Sequence, residues 1–174
     1  KDAASIRANQ NHTIMKILVT GGLGFIGSHT VVELQSKGFE VLIVDNLYNS
    51  SIDVLKGIES ISGIAPHYKN IDLRDKASVQ ALFKEYSDIA GVIHFAASKA
   101  VGESVENPLL YYENNIAALV YLLQELQQKD AASFIFSSSC TVYGQAEKMP
   151  ITEDAPVQQP MSPYGNTKKV GEEI

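Results

Sequence analysis

The chain has 174 residues, a formal net charge of −6, 45% hydrophobic residues and 20% charged ones. That suffices for one globular core, and an acidic balance without a Lys/Arg cluster argues against a nucleic-acid or anionic-membrane partner. No apolar run approaches the ~18 residues of a membrane-spanning helix. The lone cysteine, Cys140, excludes an internal disulfide and fits a reducing, cytoplasmic compartment. His12, His29, His67 and His94 show no metal-ligand spacing, so no metal is expected; His94 reads as a core histidine.

Residues 1–13 lack the apolar core of a signal peptide and are read as a leader or expression scar, with the folded domain over 14–174. A short apolar run over 15–20 predicts the first strand. Gly21-Gly22-Leu23-Gly24-Phe25-Ile26-Gly27 follows it, and Ile26, Thr30, Val31 and Leu34 begin a helical pattern. Gly38 stops that helix, and 40–44 is a second strand ending at Asp45. A polar loop over 46–51 leads to a helix over 52–60 and a short strand over 65–71 that closes at Asp72. A helix over 76–86, capped by Asp75, precedes a buried strand over 91–97. A long helix spans 108–128, a fifth strand 133–137, and a proline-bearing loop 144–161. Strand–helix alternation at this spacing predicts an α/β fold, a Rossmann-like doubly wound parallel sheet.

Two constellations carry chemistry. The first is the glycine loop between a strand and a helix. It permits a tight turn and close backbone approach, and the helix N-terminus offers unpaired N–H groups to a pyrophosphate. Asp45, eighteen residues after Gly27, stands where an acidic side chain accepts hydrogen bonds from a ribose diol. The second is Ser162-Pro163-Tyr164-Gly165-Asn166-Thr167-Lys168. Ser162 as N-cap and Pro163 as first helical residue start a helix, which puts Tyr164 and Lys168 on one face at i and i+4. An ammonium near a phenol lowers its pKa from about 10 and makes a general base of it.

Four segments in order resemble the extended short-chain dehydrogenase/reductase superfamily. They are Gly21 to Gly27, Phe95-Ala96-Ala97-Ser98-Lys99-Ala100-Val101-Gly102-Glu103-Ser104, Ser137-Ser138-Ser139-Cys140-Thr141-Val142-Tyr143-Gly144, and Ser162 to Lys168. Within it the chain is most similar to the UDP-galactose 4-epimerase (UDP-glucose 4-epimerase) family, and the likeness covers the N-terminal half of such an enzyme. It implies that Gly21, Gly24, Phe25, Ile26 and Gly27 meet the pyrophosphate of NAD. Asp45, Asn46, Leu47, Tyr48, Asn49 and Ser50 would surround the adenosine ribose, and Asp72 and Leu73 the adenine. Phe95, Ala96, Ala97, Ser98 and Lys99 would line the nicotinamide side, with Asn114 orienting the site from the long helix. Ser139, Tyr164 and Lys168 match the family's catalytic serine, tyrosine and lysine.

The chemistry so implied is C4 epimerisation of a UDP-hexose. Tyr164 takes the proton of the 4-hydroxyl, C4 gives hydride to NAD, and the 4-keto sugar turns over and receives the hydride on its other face. Related 4,6-dehydratases place an acidic pair just after the serine; here Cys140 and Thr141 stand there, and Cys140 is expected to pack as a small residue behind the catalytic strand. The resemblance also implies a homodimer. A substrate lobe is expected beyond the helix of Tyr164 and Lys168, which the chain cuts short. On these residues alone the chain is therefore expected to be silent on UDP-sugars. The alternatives are another NAD-dependent nucleotide-sugar epimerase, dehydratase or reductase of the same superfamily, and a module that holds NAD without turnover.

Overall fold

The computed structural model describes residues 15–129, 133–146 and 148–174; the leader read over 1–13 lies outside them. Five strands, β1 (Lys16–Thr20), β2 (Glu40–Asp45), β3 (His67–Asn70), β4 (Ile89–His94) and β5 (Ser133–Phe136), form one parallel sheet in the order β3-β2-β1-β4-β5. The chain runs outward from β1 to β3, then crosses to the other side of β1. The C-terminal ends of β1 and β4 therefore bracket the switch point where ligands bind in open α/β sheets.

Side-chain alternation explains the two faces. Leu18, Leu42 and Val44 point to one face and join Leu73, Val79, Leu82, Phe83 and Leu122 of the covering segments. Val19, Val41 and Ile43 point to the other and pack with Leu23, Val31 and Ile58. Both faces of β1 and β2 are buried, so these strands read as continuous apolar runs. Helices α1 (Phe25–Ser36) and α2 (Val54–Ser62) cover the second face, and α3 (Lys76–Glu85) lies on the first. The Asp75 carboxylate accepts from the Ala77 N–H at the start of α3, as its cap position predicts.

Beyond β4 the structure departs from the expected elements. The strand ends at His94 rather than continuing to 97, because Phe95 to Ala97 leave the sheet to line a cavity. An unexpected short helix, α4 (Val101–Glu106), follows; six residues with a glycine give too weak a period to read. The expected long helix is three pieces: α5 (Pro108–Tyr112), a π-helical turn over Glu113–Ala117, and α6 (Ala118–Leu126). After β5 a 3-10 turn forms over Cys140–Tyr143, and α7 (Pro163–Glu173) closes the described chain. Ser162 caps α7, its Oγ accepting from the Gly165 N–H at 3.1 Å. No helix among the described residues is long and apolar enough to cross a membrane.

Candidate functional site

A cavity of about 470 Å³ opens at the C-terminal ends of the strands. Its size falls in the range of small-molecule and cofactor sites. Its lining brings together nearly every residue singled out above: Gly21, Gly24, Phe25, Ile26 and Gly27; Asp45, Asn46, Tyr48, Asn49 and Ser50; Asp72 and Leu73; Phe95, Ala96, Ala97, Ser98, Lys99 and Asn114; and Tyr164 and Lys168. Leu47 and Ser139 are not among them.

The glycine loop is tight for a physical reason. Gly21 has φ +66, and a Cβ there would stand 2.7 Å from the Ala96 nitrogen. A Cβ on Gly27 would overlap the Gly21 carbonyl oxygen. Only glycine lets β1, the loop and the segment after β4 meet. Among the described residues no side chain caps α1 and no acidic residue stands in its first turn, so its N-terminal amides face the cavity with the positive end of the helix dipole.

Asp45 is buried at the end of β2. Its carboxylate accepts from the Leu23 N–H at 3.1 Å, the Leu47 N–H at 2.9 Å and the Ser50 hydroxyl at 2.7 Å. Three of roughly four acceptor positions are thus used. One is left for a hydroxyl entering the cavity. The bond to its amide holds Leu47 at φ 61, and its side chain turns into the α1–α2 core instead of the cavity. That corrects the expectation for Leu47. Asp72 is held by Arg74, whose Nη2 lies 2.6 Å from Oδ2 and whose Nε lies 3.0 Å from Oδ1. The guanidinium pulls the Asp72 carboxyl down to a pKa of about 2. Arg74 lines the cavity too, and sequence reading missed it; the signal was its place two residues after Asp72.

The helical side of the site hangs on an asparagine that sequence reading also missed. Asn115, 4% exposed, accepts from the Ser98 N–H at 2.8 Å and donates to the Ser98 carbonyl at 2.9 Å and to Thr167 Oγ1 at 3.0 Å. Thr167 in turn donates to the Tyr164 carbonyl at 2.7 Å. One side chain therefore ties the cavity floor to the helix of the tyrosine. Asn114 donates to Ser98 Oγ at 2.9 Å. Both asparagines reach inward because the π turn widens the helix at this point, a distortion common at functional sites.

Tyr164 and Lys168 reach the cavity from α7 as their spacing predicts. Lys168 is 4% exposed and donates to the Ser137 carbonyl at 2.7 Å. Burial pushes its pKa down to about 8. Ser139 lines a neighbouring cavity of about 400 Å³ that shares Ser138 with the first. Ser139 Oγ caps the 3-10 turn: it accepts from the Thr141 N–H at 3.3 Å and the Thr141 hydroxyl at 3.0 Å. With its acceptor sites filled, its own proton is free to be donated outward. Cys140 is exposed, which corrects the expectation that it packs behind the strand. The turn begins at this residue and rotates its side chain out. His94 is buried and its Nδ1 lies 2.7 Å from Thr20 Oγ1, as a core histidine requires.

Comparison with known proteins agrees with this geometry. The chain is 49% identical over 160 residues to a UDP-glucose 4-epimerase of Haemophilus influenzae, a match covering 92% of the chain and 47% of that protein. Its fold matches the UDP-glucose 4-epimerase of Bifidobacterium longum, solved with NAD+ and UDP, with a TM-score of 0.88 at 44% identity, covering 92% of the chain and 48% of that structure. It also matches the UDP-glucose 4-epimerase of Stenotrophomonas maltophila, solved with NAD and formylated UDP-arabinopyranose, with a TM-score of 0.85 at 46% identity, covering 91% and 47%. The chain spans about half the length of the curated relatives it matches. The family model described as GDP-mannose 4,6 dehydratase matches residues 18–174, and the chain belongs to that family.

Proposed function

We propose that this chain is the dinucleotide-binding half of an NAD-dependent nucleotide-sugar epimerase that interconverts UDP-galactose and UDP-glucose through a 4-keto sugar. One observation carries the reading. A single cavity runs from the glycine loop and Asp45 at one end to Tyr164 and Lys168 at the other. Relatives solved with NAD and with UDP or a UDP-sugar support it.

The residues present fit the cofactor. The N-terminus of α1 receives the pyrophosphate, the open acceptor position of Asp45 a ribose hydroxyl, and Asp72 the adenine side. Bound there, the dinucleotide supplies a hydride acceptor that returns the hydride later in the cycle. Tyr164 removes the proton of the sugar 4-hydroxyl. Lys168 lines the same cavity and supplies its positive charge, and the Ser139 proton is donated to O4. Dehydration is not part of the reading. Cys140 and Thr141 follow Ser139, and Thr141 spends its hydroxyl on Ser139. The full-length enzyme is proposed to form a cytoplasmic homodimer through the long helix, on which Leu109 is 81% exposed, and through α7.

The test completes the chain with the C-terminal half of the Haemophilus relative and follows conversion of UDP-galactose to UDP-glucose. Tyr164→Phe is expected to lower the rate by at least ~10³-fold while changing NAD affinity less than about threefold, since general-base loss of this kind falls within ordinary ranges. Near-normal turnover in that variant would assign the base elsewhere. NAD binding without turnover in the completed enzyme would leave a binding module only. Affinity should favour NAD over NADP. The buried Asp45 carboxylate repels a 2′-phosphate, and Arg74, the one arginine in the cavity lining, is engaged by Asp72. Equal or tighter NADP binding would reject that assignment.

A further inference from the structure

Lys168 is a buried ammonium, and among the described residues no carboxylate lies within ion-pair distance of it. Burying a charge that way is costly unless something else meets it. Two adjacent features at the end of β5 do so. The Ser137 carbonyl accepts from Nζ at 2.7 Å, and the Phe136 ring centroid lies 4.8 Å from the same nitrogen. That distance is within cation–π range.

The ring is held in place from two sides. It stacks on His94 with centroids 6.1 Å apart and planes 17° apart. On α7 a Cβ at Gly171 would stand 2.5 Å from the ring Cζ and 2.9 Å from Cε1, so only glycine admits the ring so close to the helix. His94 is neutral there, since burial first and the Lys168 charge second push its pKa down to about 3. A ring face also does what a carboxylate would not. A counterion would cancel the field of the ammonium in the cavity, whereas a quadrupole steadies the cation and leaves its net charge intact.

We propose that Phe136 is a positioning residue: its ring, braced by His94 and admitted by Gly171, is the platform that holds the Lys168 ammonium at the wall of the cavity that Tyr164 also lines. The proposal rests on the reading of Tyr164 and Lys168 given above, but its test needs neither cofactor nor turnover.

The test labels the lysines with 13C and 15N in this chain and titrates the Lys168 Cε–Nζ correlation from pH 6 to 11. Phe136 is replaced by its 4-fluoro, 3,5-difluoro and 3,4,5-trifluoro analogues, which keep the ring's shape and drain its face of negative potential. The Lys168 midpoint should fall stepwise with fluorine count, by roughly 0.5–1.5 pH units across the series. Phe136→Leu should move it the same way. Glu103, Glu106, Tyr111, Tyr112, Glu113, Cys140 and Tyr143 on the elements packed against α7, Tyr164, Lys169, Glu172 and Glu173 on α7 itself, and His94 against the Phe136 ring are common to the series and shift every midpoint alike. A residue that merely fills space would leave the midpoint constant. A flat midpoint through the fluorinated series, with the amide spectrum unchanged, overturns the proposal. Should Phe136→Leu fail to fold, the fluorinated series decides alone. NAD binding and turnover by the completed enzyme test the functional reading separately, so the two failures are distinguishable.

Discussion

At the scale of single residues, Lys168 carries opposing demands. Its folded pKa of about 8 lies below the ordinary 10.5 because of burial. A depressed folded value means that stability tied to this group is fully present above pH 10.5 and lost as pH falls through 8. At pH 7 the ammonium therefore works against the fold that holds it, even with the ring face and carbonyl beneath it. Lys168→Met keeps the length and removes the charge. It is expected to raise stability at pH 7 by about 1–2 kcal/mol while weakening NAD binding. Urea midpoints at pH 7 and pH 10.5 check it, and the gain should shrink at the higher pH. A less stable variant at pH 7 would show that the bond to Ser137 and the contact with Phe136 outweigh desolvation. The role of Lys168 was legible because four-residue spacing on a capped helix fixes a common face. Its burial was not, since that depends on β5 and Phe136, thirty-two residues earlier. Leu47 was misplaced for a related reason. Its neighbours in sequence line the cavity, but the Asp45 carboxylate pins its amide in a left-handed turn and aims the side chain inward.

At the scale of elements, the π turn of Glu113–Ala117 distinguishes two adjacent asparagines. A regular helix would set them about 100° apart, and the family resemblance pointed to Asn114. The widened turn instead lets both reach Ser98, with Asn115 taking the buried position. Asn115→Ala would strand the Ser98 amide and carbonyl in a buried place and take away the donor to Thr167 Oγ1. The expected cost is about 2–4 kcal/mol. Asn114→Ala removes two half-buried bonds, to Ser98 Oγ and to Asn115 Oδ1, strands no buried backbone group and should cost less than about 1.5 kcal/mol. Thermal or urea unfolding of the two variants checks the ranking, and equal losses would reject the bracket role of Asn115. Hydrophobic period predicted one helix here because Ile116, Leu119, Val120 and Leu123 keep their stripe through the distortion. Period records which side is apolar and is blind to one extra residue in a turn. The 3-10 turn after Ser139 escaped for the same reason: four residues carry no period.

At the scale of the molecule, the sheet order follows from the alternation of apolar runs and helical patterns, and the cavity's location follows from that order. The core reaches the site through His94, the last residue of β4. It is 1% exposed, stacked on Phe134 and Phe136, and within 2.7 Å of Thr20 Oγ1 on β1. A protonated His94 is disfavoured there, so acid acts on the fold through this ring. Burial, with the Lys168 charge adding to it, lowers the folded pKa to about 3 from 6.5. By linkage, the stability it carries is fully present above pH 6.5 and lost as pH falls through 3. Between pH 6.5 and 5 the loss should be about 2 kcal/mol, from ~1.4 kcal/mol for each pH unit in which only the unfolded chain binds the proton. Asp72, with its folded value of about 2 against an ordinary 3.8, contributes its own loss only below that window. His94→Phe removes the titrating group and keeps an aromatic ring between Phe134 and Phe136. It leaves Thr20 Oγ1 short of a partner, so its stability at pH 7.5 should be lower than that of the parent chain. Its urea midpoint should nevertheless change much less between pH 7.5 and pH 5. An equally steep loss in His94→Phe would mean that the acid sensitivity of this fold resides in some other group.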